Sequence, residues 1–173
     1  MKTKQDNLIG LKPEEVVKDL ITSGRLMDAN WYLVSQLDKN QLIQYAVFAA
    51  QRAVKSFNKK YRDEQINLAI KVAKQYVKME KTSDNLFQIS EKSSSIKDAL
   101  KGRLKYQDIK DVKLFAVDAA RHLMVLINNA IKENEIQIRE NVNKIIIDSR
   151  KTVEYNNGEM KEILKRGLEL LQN

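Results

Sequence analysis

The chain has 173 residues, 43% apolar and 31% charged, a balance that supports a packed core and excludes a disordered polyelectrolyte. It contains no cysteine, which excludes disulfides, thiolate nucleophiles and thiolate metal sites and fits a reducing compartment; with no secretory signal read at the start, the cytoplasm is the expected location. A formal net charge of +8 repels copies of the chain and favours anionic partners.

The first ten residues, MKTKQDNLIG, read as a flexible lead-in, basic but without the apolar stretch of a secretory signal. Residues 11–173 read as a single all-helical domain. No apolar run approaches the length of a membrane span, so no membrane insertion is expected. Pro13 suits the first turn of a helix, with Glu14 and Glu15 at its positive end and Gly24 as its stop. A second helix is predicted over Leu26–Leu37, carried by Leu26, Ala29, Leu33 and Leu37, with Trp31 and Tyr32 on its flanks. After a polar break at Asp38–Asn40, a third runs over Gln41–Phe57. Its stripes Leu42, Ala46, Ala49, Ala53 and Ile43, Val47, Ala50, Val54 make a face broad enough for a central helix.

Asp63 is the expected N-cap of a fourth helix, with Ile66, Ala69, Ile70, Ala73, Tyr76 and Val77 inward and Lys71, Lys74, Lys78 and Lys81 outward. Residues 82–95 look irregular, and Ser95 is the expected cap of a short helix through Leu104. The strongest pattern runs from Gln107 to Ile131, through Ala116, Ala119, Leu123, Leu126 and Ala130. A seventh helix is predicted over Glu135–Val153, then a turn at Asn156–Gly158 and a last helix through Met160, Ile163, Leu164, Leu168 and Leu171. Gly167 is expected to weaken that helix by about 1 kcal/mol relative to alanine. The fold class is therefore all-α, a compact bundle of seven or eight helices with alanine-rich central helices.

Candidate chemistry is sparse. His122 is the single histidine, and Asp118 four residues earlier on the same helical face is placed to orient an imidazole, with Arg121 beside them but directed elsewhere. A catalytic site would require a nucleophile or metal from another helix. A hydrogen-bonded histidine at the edge of the core is the favoured reading of Asp118, Arg121 and His122. With one histidine and no cysteine no metal site is expected, and the isolated glycines offer no phosphate loop, so no cofactor is expected. Asp108 and Asp111 suit the positive end of a helix.

Charge distribution says more. From Lys39 to Lys81 there are ten basic and three acidic residues, whereas from Lys132 onward there are eight of each. Lys55, Lys59, Lys60 and Arg62 precede the stripe Lys71, Lys74, Lys78 and Lys81, and together they form the candidate interaction patch. Such a patch suits phosphate contacts. No helix-turn-helix pattern accompanies it, and Phe57, Tyr61 and Tyr76 are too few for a base-stacking platform.

The stretch Asn30–Val77 carries a tyrosine leading an alanine-rich segment (Tyr45–Ala50). It also carries an aromatic and basic residues before a second tyrosine (Phe57–Tyr61), and an aspartate before a further alanine helix (Asp63–Ala73). In these features, and again in Ala116–Arg121, the chain resembles a family of immunity proteins of bacterial polymorphic-toxin systems, some of them phage-borne. The family pattern has a proline and arginines where this chain has Arg62 and Gln65–Asn67, and cysteines that this chain lacks. The resemblance rests on packing residues and implies a helical protein that binds another protein. The resulting expectation is a non-enzymatic protein-binding protein, possessing an acidic partner and acting as a toxin-neutralising immunity or inhibitor protein. The alternative is a non-specific nucleic-acid-binding accessory protein using the lysine-rich helix face.

Overall fold

The computed structural model describes residues 10–58, 63–104, 112–152 and 157–172. Among them are eight α-helices and no strand: α1 (Pro13–Thr22), α2 (Leu26–Gln36), α3 (Lys39–Asn58), α4 (Glu64–Lys78), α5 (Ser83–Leu104), α6 (Val112–Ile131), α7 (Glu135–Thr152) and α8 (Asn157–Leu171). The expected all-α multi-helix bundle is what the chain forms.

Local chemistry sets several helix ends. Gly24 adopts φ +77, and the Arg25 N–H reaches back to the Leu20 carbonyl at 2.8 Å, closing α1 with a left-handed turn. The residues Asp38–Asn40, expected as a break, instead start α3. Asp38 Oδ1 accepts the Gln41 N–H and Gln41 Oε1 accepts the Asp38 N–H, both at 2.9 Å, a reciprocal capping box. Asp63 caps α4 as expected, its Oδ1 accepting from the N–H groups of Gln65 and Ile66.

One apolar cluster draws residues from all eight helices. Its middle is the packing of α3 against α4, α6, α7 and α8, with α6 and α7 the most extensively packed pair. Ala46, Ala49, Ala50 and Ala53 of α3 and Ala116, Ala119 and Ala120 of α6 are fully buried. These small side chains let neighbouring backbones approach closely, so burial here depends on proximity more than on side-chain size.

A short polar chain crosses this core. The buried Tyr45 hydroxyl donates to Asn30 Oδ1 and Asn30 Nδ2 donates to Asn143 Oδ1, each at 3.0 Å, so α3, α2 and α7 are joined through groups that would otherwise be unsatisfied. Burial pushes the Tyr45 phenol far up from its ordinary range, which keeps it a neutral donor.

Helix α5 departs most from expectation. Instead of irregular chain followed by a short helix from Ser95, Ser83–Leu104 is one helix that packs on α4 and α6. Its buried stripe is thin, with Ile89, Ile96 and Leu100 interrupted by a fully buried Ser93. The Ser93 hydroxyl lies 2.6 Å from Asn128 Oδ1 and 3.0 Å from the Ser90 carbonyl, and Asn128 Nδ2 donates to Ser94 Oγ at 3.3 Å. The serines therefore join α5 to α6 through hydrogen bonds, which an apolar periodicity does not register. Helix α6 is described from Val112; the predicted start at Gln107, with Asp108 and Asp111, lies outside the described residues, as does Val153 at the predicted end of α7.

Gly167 is also reversed. It is buried in α8, where an added Cβ would overlap Leu33 Cδ2 and come within 3.0 Å of Tyr45 Cε2. The position needs glycine for close approach, not in spite of helix propensity. Gly167→Ala gains about 1 kcal/mol of propensity but overpacks two fully buried side chains at about 1–3 kcal/mol. We expect it to lower the thermal midpoint by roughly 2–4 °C per net kcal/mol lost, measured by the loss of helical dichroism on heating.

Glu133 ends α6 at φ 59, the one non-glycine residue with positive φ among those described. The Asn134 N–H bonds to the Asn129 carbonyl at 3.0 Å around it, a turn that favours glycine. The Glu133 side chain is largely exposed and reaches Lys39 only at 3.6 Å. Glu133→Gly is expected to raise stability by about 1 kcal/mol, seen as a higher midpoint in chemical denaturation at unchanged slope.

Candidate functional site

The basic face is built on α4. Spaced three and four apart, Lys71, Lys74 and Lys78 share one exposed side of the helix, opposite the buried Ile66, Ala69, Ile70, Ala73 and Tyr76. Lys55, near the end of α3, is also exposed. Lys59, Lys60 and Arg62 of the predicted patch lie outside the described residues.

Lys81 does not belong to the stripe. Helix α4 ends at Lys78, and Lys81 folds back so that its Nζ donates to the Tyr76 carbonyl and lies 3.6 Å from the centre of the Tyr76 ring. It thus satisfies a carbonyl at the negative end of α4. Desolvation, and then the neighbouring Lys39, pull the Lys81 ammonium down from its usual range; burial, and then Glu133, push the Tyr76 phenol up.

What the stripe faces was not visible in the sequence. Lys74 and Lys78 form one wall of a groove of about 150 Å³ whose floor is mainly α3; α4 and α8 each pack on α3 but not extensively on one another, which places Arg166 of α8 on the far side. Val47, Phe48 and Val77 provide its apolar surface, and Gln44 and Gln51 of α3 contribute amides. Among the described residues that line the groove there is no carboxylate. Arg166 is bonded to Glu169 at 2.9 Å on its own helix, and its side chain stays over a third exposed. Phe48 has the Arg52 guanidinium 6.0 Å from its ring centre, and Arg52 is itself fixed by Glu159 of α8 at 2.5 Å. Arg166 and Gln44 are the residues the sequence reading missed. Their helices meet only through tertiary packing.

The second candidate is brought together, but with different pairings. Asp118 accepts from Arg121, at 3.0 Å from Nε and 2.9 Å from Nη2, and does not orient His122. Arg121 is not directed elsewhere, because its Nη2 lies 2.8 Å from His122 Nε2. The residue that orients the imidazole is Asp148 of α7, whose Oδ2 is 2.9 Å from His122 Nδ1. A guanidinium has only donors, so His122 Nε2 must accept; the ring proton is then on Nδ1 and is donated to Asp148. The order Asp118–Arg121–His122–Asp148 is thus a half-buried chain of charge-assisted bonds fastening α6 to α7. With its Nε2 lone pair occupied by Arg121, the imidazole in this arrangement holds the two helices together. Asp148 left a trace in the sequence, as a carboxylate directly after the apolar triplet Ile145–Ile147.

Among the described residues no group of three histidine or carboxylate side chains is placed to hold a metal ion, and no helix is long and apolar enough to cross a membrane. Comparison with protein-family models, with curated proteins and with solved structures gives no match for this chain.

Removing Asp148 leaves the His122 N–H without its acceptor in a largely buried place. Asp148→Ala is expected to destabilise the fold by about 1–3 kcal/mol, and Asp148→Asn, which keeps an acceptor oxygen, by less. Urea unfolding of both variants checks this order; equal midpoints for wild type and Asp148→Ala would refute it.

Proposed function

We propose that this chain is a non-enzymatic binding protein that engages an acidic protein partner through the basic face of α4, as a toxin-neutralising immunity or inhibitor protein would. The observation that carries the reading is the groove between α3, α4 and α8, where three cations surround apolar side chains and no carboxylate stands among the described lining residues. A cationic rim around an apolar centre is the composition of a protein-binding surface, in which charge guides encounter and buried apolar area holds the complex. The family resemblance of Asn30–Val77 points the same way.

Phosphate backbones favour lysine stripes too, but they make no use of an apolar floor. The one groove aromatic able to stack on a base, Phe48, already has Arg52 near its ring.

The test sets these chemistries apart by salt. Phosphate contacts release counterions, so affinity falls steeply with salt, whereas a partly apolar protein interface retains affinity once steering is screened. We expect wild type to bind a duplex oligonucleotide only in the roughly 10⁻⁴–10⁻⁶ M range near physiological salt, as read by fluorescence anisotropy. Lys71→Glu, Lys74→Glu and Lys78→Glu together should leave the fold intact, because all three side chains face solvent. Nanomolar oligonucleotide binding at about 0.15 M salt, abolished in that triple variant, would replace the protein partner with nucleic acid.

A further inference from the structure

We infer that the α3–α4–α8 groove is an anchor site for an acidic peptide segment, in which one leucine- or phenylalanine-sized side chain enters the groove and flanking carboxylates meet its two cationic walls. The inference rests on the protein-binding reading above and specifies what that partner presents.

Size sets the anchor. Apolar space of roughly 150 Å³ is enough for one benzene-sized group, and the groove measures about 150 Å³. The groove is open at the surface, and its volume matches one anchoring side chain of a segment lying across it. Val47 is almost fully buried and Val77 and Phe48 are half-buried, so the floor is set by the core and is formed before anything binds.

Charge sets the flanks. Lys74 and Lys78 stand one helical turn apart on α4, and among the described residues neither is paired with a carboxylate. Arg166 stands across the groove from them. Glu169 occupies part of its guanidinium, which has further N–H donors for an incoming carboxylate. An extended or helical segment passing over the groove meets positive charge on either side of its anchor. Gln44 and Gln51 can each donate to and accept from the segment's backbone. A second copy of this chain is a poor occupant at a net charge of +8 each.

The experiment uses the full chain and fluorescein-labelled probes in anisotropy titrations. The probes are a short glutamate-rich peptide with one central leucine, the same peptide with serine in its place, and a single-stranded oligonucleotide of equal charge. The leucine peptide is expected to bind at least about tenfold more tightly than the serine peptide, the effect of burying one such side chain. Lys74→Gln with Lys78→Gln should weaken the leucine peptide by about tenfold, and Arg166→Gln alone should weaken it severalfold, with helical dichroism and thermal midpoint unchanged in both variants. The Arg166→Gln arm is the one a simple lysine stripe would not move. Equal binding of the two peptides, lost in the lysine variant, would overturn the anchor and leave an acidic partner standing. Tighter binding of the oligonucleotide, lost in the same variants, would overturn the anchor and the protein-partner reading together. Failure of both peptides to bind would overturn the anchor outright.

Discussion

Burial of the Tyr45 phenol constrains four helices at once. Its hydroxyl has no water to bond with, so it must find an acceptor inside the core, and it finds Asn30. Asn30 in turn must dispose of its amide protons, and it reaches Asn143. The ring edge then limits how α8 can approach, and only a residue without a side chain fits at Gly167. A shift of α2, α7 or α8 breaks either a buried hydrogen bond or a tight contact. Apolar burial alone would tolerate many rotations of such helices, and this arrangement selects one.

The fold was legible wherever apolar spacing and packing agreed. Helix α3 announced itself through two adjacent alanine-rich stripes, and α4 through buried and lysine-bearing positions that each recur at three- and four-residue spacing. Helix α5 was hidden because serines stand where apolar residues would signal a buried face, and its attachment runs through Ser93 and Asn128 instead. Gly167 was misread for a related reason. Propensity describes a helix in isolation, whereas the closeness of Leu33 and Tyr45 is a property of three helices together.

The candidate site divides along the same line. The stripe Lys71, Lys74 and Lys78 lies within one helix and could be read from its period, but the helix ends before Lys81, and the Tyr76 carbonyl near that end recruits the ammonium. The opposite wall comes from α8, and no local pattern associates Arg166 with α4. Likewise Asp118 and His122 share a face, as their spacing requires, yet a carboxylate on a neighbouring helix is better aimed at the imidazole. Spacing along one helix identifies which side chains are near each other. It does not rank them against competitors from elsewhere in the chain.

The groove is assembled from segments distant in sequence, and this bears on when it exists. Helix α8 is tied to the start of α3 by the bond from Gln41 to the Leu170 carbonyl, across 129 residues. A chain still emerging from the ribosome already carries both lysines and the apolar floor, but neither the far wall nor the docked helix that supports it. The groove as described is therefore complete only when α8 is docked against α3. Loosening α8 alone would take Arg166 away from the groove and leave Lys74 and Lys78 of α4 in place.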